Sequence, residues 1–232
     1  MRGDEVLREL RSMADPESVK GMAQYGIRSE DALGISVPQL RSIAKSIGKN
    51  HSLAQELWES GVHEARMLAA MVDEPAEVTE EQMESWVRSI DSWDICDICC
   101  SSLFDKTRFA WKKALDWPGR KEEFVKRSGF SLMAALAVHD KRATDDFFIK
   151  FLPVIEREST DERNYVKKAV NWALRQIGKR NMLLNLAAIE SAKRIRDIDS
   201  KSARWIASDA LRELTSESVQ ERLRARQGRV RR

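Results

Sequence analysis

His63-Glu64-Ala65-Arg66-Met67-Leu68-Ala69-Ala70 opens on polar residues and runs on through small and apolar ones. Apolar residues recur at three- and four-residue spacing here and almost throughout the chain, the period of a helix with one buried face. Similar segments follow: Val125-Lys126-Arg127-Ser128-Gly129-Phe130, Val166-Lys167-Lys168-Ala169-Val170-Asn171-Trp172 and Ser202-Ala203-Arg204-Trp205-Ile206-Ala207. Trp93-Asp94-Ile95-Cys96-Asp97 fills the gap between the first two. A recurrence of roughly 30 to 40 residues matches helical-hairpin repeats of the HEAT or armadillo sort, in degenerate form. Each hairpin buries its apolar face only against its neighbours, so stacking predicts an all-α superhelical solenoid. Equivalent positions of successive second helices would line one concave surface. Those positions are Arg66, Asp97, Arg127, Lys168 and Arg204, a basic groove holding one acid. A plain helical bundle is the alternative that the same periodicity permits.

Helix punctuation supports the all-α reading, and no segment alternates cleanly with period two. Ser36-Val37-Pro38-Gln39 supplies an N-cap, an early Pro and a Gln at the capping-box position. Thr79-Glu80-Glu81-Gln82 is a second capping box, and Thr160-Asp161-Glu162 places acids at an expected helix start. Breaks are expected at Gly48, at Asp73 to Pro75, at Trp117-Pro118-Gly119 and at Gly178 to Asn181.

With 232 residues, 33% charged and 42% apolar, the chain has globular rather than disordered composition. Its longest apolar run, Leu132 to Val138, is far too short to span a bilayer. The N-terminus carries no apolar stretch of the secretory kind, and three clustered cysteines point to reduced thiols. A cytoplasmic protein without membrane association is therefore expected. Ten Gly and five Pro are too few for a turn-rich β architecture. The net charge of +3 hides an uneven distribution. Up to Ala110 there are 12 Lys and Arg against 20 Asp and Glu; from Trp111 onward the balance reverses to 28 against 17. Six arginines and no acid lie from Arg222 to the end. Residues 1–221 are expected to form one repeat domain and residues 222–232 an Arg-rich disordered tail. Such asymmetry points to a polyanionic partner on the C-terminal side, or to a tail that aids solubility.

Few residues carry chemistry by motif alone. His51, His63 and His139 fall near expected helix ends and share no motif, which fits surface or cap positions. Phosphate-loop, H-E-x-x-H and Gly-x-Ser-x-Gly patterns are absent from the sequence. Cys96, Cys99 and Cys100 have no fourth ligand cluster to complete a zinc site, so buried packing is expected of them. Trp58, Trp86, Trp111 and Trp117 are assigned to helix packing. Trp93 lies one turn before Asp97, so indole and carboxylate project from one helix face. Trp172 lies between Lys168 and Arg175, an aromatic among cations.

These residues carry a resemblance. Ser92-Trp93-Asp94-Ile95-Cys96-Asp97, then Lys126-Arg127, then Lys168-Ala169-Val170-Asn171-Trp172-Ala173-Leu174-Arg175 resemble the AlkD-type DNA alkylation-repair glycosylases. Order and intervals match that family's W-D-x-x-D, (x)-R and K-A-x-x-W-x-L-R signatures, roughly from residue 35 to residue 215. The resemblance implies a HEAT-like solenoid that holds duplex DNA in a basic groove and removes N3- and N7-alkylated purines without metal or nucleotide cofactor. It implies Asp97 as the catalytic acid, Trp93 and Trp172 as groove indoles, and Arg127 as a phosphate ligand. Lys168, Arg175, Arg204 and Arg66 are further DNA-binding candidates, and a monomer acting on alkylated double-stranded DNA is expected.

The chemistry fits these residues. An N3- or N7-alkylpurine is already cationic, so its glycosidic bond needs no general acid. Cleavage develops oxocarbenium character on the sugar, which one carboxylate can stabilise while orienting water. Indole faces favour positive charge through the ring quadrupole. As alternatives, Asp97 is a solvated helix acid or an ion-pair partner of Arg127. Two departures stand out. Ser92 occupies a position where the family often carries a second tryptophan. Gly129 lies inside an expected helix at a cost of about 1 kcal/mol relative to Ala, as suits close approach of another backbone.

Overall fold

In the computed structural model the described residues are 2–27 and 30–230, and they contain helices and no strand. They cluster into two compact units, one reaching to Phe109 and the other starting at Ala110. The first unit holds α1 (Gly3–Ser12), α2 (Pro16–Gln24), α3 (Val37–Ile47), α4 (His51–Glu59), α5 (His63–Val72), α6 (Glu80–Ser89) and α7 (Trp93–Ser102). The second holds α8 (Ala110–Asp116), α9 (Glu123–His139), α10 (Asp145–Ile149), α11 (Leu152–Glu158), α12 (Asn164–Gly178), α13 (Met182–Arg196), α14 (Lys201–Leu214) and α15 (Glu217–Val230).

Punctuation largely sits where the sequence places it. Gln39 Oε1 accepts from the Ser36 amide at 3.1 Å, closing the capping box of α3, and Thr79 Oγ1 caps the Gln82 amide of α6 at 3.1 Å. Gly48 ends α3 at φ +77°, a left-handed conformation that favours glycine. The start expected at Thr160-Asp161-Glu162 falls later, at Asn164. Asp161 instead anchors the turn before α12, taking hydrogen bonds from the Arg163 backbone amide and guanidinium, with Lys126 Nζ at 2.9 Å. Burial pushes the Asp161 carboxyl up, but those partners outweigh it and hold the pKa at about 2.

Polar staples reveal the repeat more clearly than the core does. In the first unit, Glu64 accepts from the Leu33 amide, His63 bonds Asp94, and the Trp58 indole donates to Ser89, each across 31 positions. In the second, Arg127 to Tyr165, Asn171 to Asp209, Arg175 to Glu213 and Arg194 to Glu156 each span 38. Each repeat-length step is thus marked by side chains as well as by packing.

The core follows the expected faces. Trp58 and Trp86 stack with centroids 4.0 Å apart, and Trp117 is buried. Trp111 packs against Phe147, Phe148 and Phe151. Cys96, Cys99 and Cys100 are fully buried and not disulfide-bonded, and burial first, then neighbouring groups, pushes the thiols of Cys99 and Cys100 well up. Gly129 does admit a close approach: a Cβ there would meet Pro118 at 2.5 Å. The arginine-rich segment begins inside α15, a helix that continues to Val230; Arg231 and Arg232 lie outside the described residues.

Candidate nucleic-acid interface

Helix α7 is short, and its first turn is unusually well fixed. Ser92 is its buried N-cap residue, and the Ser92 hydroxyl hydrogen-bonds Asp94. Asp94 also accepts from the Ile95 amide at 3.0 Å and lies 2.8 Å from His63 Nε2 of α5. His63 is 4% exposed, so it is neither a surface nor a cap residue as the sequence suggests. Burial disfavours its cation, yet the hydrogen bond and charge of Asp94, with Glu64 and Asp91 nearby, prevail and raise its pKa. Burial likewise pushes Asp94 up, but His63, Ser92 and the Ile95 amide prevail and lower it. The pair is a buried histidine–aspartate bolt between α5 and α7.

What that bolt holds is the face with Trp93 and Asp97. Trp93 is the first residue of α7, and its indole N–H donates to the Tyr25 carbonyl at 3.1 Å. The turn after α2 therefore orients it, a contribution that sequence reasoning misses. Asp97 is half-buried one turn later, and the Ser101 hydroxyl donates to its backbone carbonyl at 2.7 Å. Arg66 is committed within the unit: its guanidinium lies 5.6 Å from the Trp58 ring and 3.8 Å from Asp91.

In the second unit, Lys168, Trp172 and Arg175 share one face of α12. Lys168 is exposed and enters no salt bridge among the described residues. Trp172 is half-buried. Arg175 is held by Glu213 at 2.6 Å and Asp209 at 3.5 Å, both on α14. Arg204 is exposed and pairs with Asp199 at 2.9 Å. Arg127 is 5% exposed and donates to the Tyr165 carbonyl in the first turn of α12 at 2.7 Å. Of the cations expected to meet phosphate, Lys168 is exposed and Arg204 is exposed but paired with Asp199, whereas Arg66 and Arg127 lie mostly within their units. A further aromatic–cation pair was missed: Lys167 Nζ lies 5.3 Å from the centroid of exposed Trp205.

Trp93, Asp97 and Arg66 thus belong to the first unit, and Arg127, Lys168, Trp172, Arg175 and Arg204 to the second. Within each, a short helix face offers an aromatic beside a polar or charged group.

Comparison with known proteins supplies the context. A family model described as DNA alkylation repair enzyme matches residues 6–214. Uncharacterized protein Lin0241 of Listeria innocua is 28% identical over 133 residues, which is 56% of this chain and 59% of that protein. Uncharacterized protein Lmo0209 of Listeria monocytogenes is 26% identical over the same shares. The chain spans about 59% of the length of these curated relatives. A solved structure described as a new family of proteins related to the HEAT-like repeat DNA glycosylases, with affinity for branched DNA structures, matches with a TM-score of 0.76. It shares 20% identity over 92% of this chain and 95% of that one, a likeness of fold.

Proposed function

Because the chain belongs to the DNA alkylation repair enzyme family, we propose that it is a DNA glycosylase acting on cationic N3- and N7-alkylated purines in duplex DNA. The observation that carries the reading is the first turn of α7. There the Asp94–His63 pair fixes the helix that carries the indole of Trp93 and the carboxylate of Asp97. A helix start bolted in this way has two groups to position, and they are the groups that cleavage of a cationic nucleoside requires.

In the proposed reaction the bond between the sugar C1′ and the purine nitrogen breaks, and its electron pair neutralises the cationic base. The base leaves without being protonated, so no general acid, metal or cofactor has a part in the step. The ring oxygen and C1′ share the positive charge that develops, and the Asp97 carboxylate stabilises it. Water adds at C1′ and releases its proton through Asp97, leaving an abasic site. Trp93, beside Asp97, offers a flat face to the cationic sugar, and Trp172 offers one to DNA on the face of α12. Lys168 and Arg204 contact phosphates; Arg127 does so after exchanging its bond to Tyr165. Arg175, already compensated by Glu213 and Asp209, serves to keep α12 on α14. A monomer in the cytoplasm, associated with the nucleoid when bound, is part of the same reading; no helix among the described residues is long and apolar enough to cross a membrane.

The test is release of N7-methylguanine from methylated duplex by the wild type and by Asp97→Asn. Release by the wild type, lost in the variant with DNA affinity retained, is expected. Equal release by both removes Asp97 from the mechanism. The second reading is DNA binding without cleavage, favoured by the internal engagement of Arg66 and Arg127 and by the fold relative with affinity for branched DNA. It predicts DNA binding with no base release by either protein.

A further inference from the structure

The second unit contains a cleft of about 910 Å³ at the C-terminal ends of α9 and α12, closed on one side by α15. Five cations line it, Lys141, Lys179, Arg180, Arg222 and Arg226, against one acid, Asp145. Two are tied down as walls. Arg180 donates to the Ala137 and Ala143 carbonyls at 3.0 Å each, and Lys179 is 2.7 Å from Glu213. Lys141, Arg222 and Arg226 are exposed at its rim; Lys141 Nζ donates to the Val138 carbonyl and Arg226 to the Lys179 carbonyl at 3.3 Å, contacts that leave further guanidinium and ammonium donors for a ligand. Burial first, then the charges of Arg180 and Arg226, lower the pKa of Lys141, so at least two other cations lie close to it. Between the cations the lining is apolar, with Val138, Met182 and Leu223. The first turn of α13 opens on the same space, adding the positive end of a helix of 15 residues.

We propose that this cleft binds backbone phosphates of DNA beyond the face that carries Trp172, with Arg222 and Arg226 of α15 and Lys141 after α9 as the contacting groups and the apolar lining against the sugars. The inference rests on the DNA-binding reading above. With Lys179 compensated by Glu213, the other four cations still outnumber Asp145 and match a polyanion by charge, and the apolar patches between them match the alternation of phosphate and sugar along a strand. The arginine-rich C-terminal segment is then the third wall of a binding site.

Salt dependence of binding reads the number of phosphates neutralised, at about 0.9 in the slope of log K against log salt for each. The full chain is titrated into a fluorescein-labelled unmodified duplex across a salt series, with helical circular dichroism as the check on folding. Arg222→Ala/Arg226→Ala is expected to lower the slope by about two, and Lys141→Ala on the opposite wall by about one. The control Arg196→Ala/Arg224→Ala removes the same net charge from exposed residues outside the cleft and is expected to leave the slope unchanged. Equal losses from both pairs overturn the cleft in favour of bulk charge, as does a wild-type slope in all the cleft variants. Absence of duplex binding by the wild type at low salt overturns the DNA reading itself and the cleft with it.

Discussion

Gly129→Ala sets two well-calibrated effects against each other two residues from Arg127. Helix propensity alone favours alanine in the interior of α9 by about 1 kcal/mol. Packing opposes it. A Cβ at position 129 would stand 2.5 Å from Pro118 Cδ, 2.7 Å from Cγ and 2.8 Å from the Pro118 nitrogen. A pyrrolidine ring cannot swing aside, and the third contact is backbone, so relief has to come from a shift of α9 or of the Trp117–Gly119 turn. Overpacking of this kind costs about 1–3 kcal/mol, and the rigidity of the neighbour places this case at the upper end. The net expectation is destabilisation by about 1–2 kcal/mol, which lowers the Tm of a chain of this size by roughly 2–8 °C. Differential scanning fluorimetry measures it directly. Pro118→Ala removes Cγ and Cδ but leaves the nitrogen, so the double variant is expected to recover part of the loss, with a coupling of about 0.5–2 kcal/mol. A Tm for Gly129→Ala at or above the wild-type value would refute the packing argument and show that propensity decides the position.

Titration supplies two more expectations. His63 is raised above the ordinary imidazole value and Asp94 lowered below the ordinary carboxylate value, so the stabilisation from their pair is present between the two limits. It fades as pH rises through the folded His63 pKa and as pH falls through that of Asp94; in urea melts against pH, His63→Gln is expected to lose the alkaline limb of that dependence, and an unchanged limb would assign it elsewhere. Asp161, held at about 2, contributes stability that is complete above the unfolded carboxylate range and lost as pH falls toward 2. Asp161→Asn is expected to flatten the acid limb between about pH 4 and 2 relative to the wild type.

The elements that were legible in the sequence are those whose signals are local. The capping boxes at Ser36 and Thr79, the breaks at Gly48 and Asp73, and the apolar face of α12 are each written within a few residues. The close approach at Gly129 was legible for the same reason, since a glycine inside a strong helical pattern has few other uses. The misread features depend on partners far along the chain. His63 begins α5 as expected, but its burial is not legible until Asp94 is brought to it across 31 positions. Trp93 looks free of the N-terminal region until the turn at Tyr25 meets its indole. The ion pairs of Arg175 with Glu213 and Asp209 are likewise invisible until α14 is packed alongside. In each case a charged or amphipathic side chain has the same local pattern whether it faces water, an ion-pair partner or DNA. The family resemblance, by contrast, was carried by three short motifs in order, and the match over residues 6–214 extends it to nearly the whole chain.

The staples at 31 and 38 positions bear on how the chain acquires its structure. Few of its long polar bonds reach much farther than one hairpin and its neighbour, so the loops that must close during folding stay short and entropically inexpensive. Within each unit, order can spread from any hairpin that forms first, as a crystal grows from a seed. A nascent chain can therefore consolidate each hairpin as soon as the next has left the ribosome, without waiting for its C-terminus.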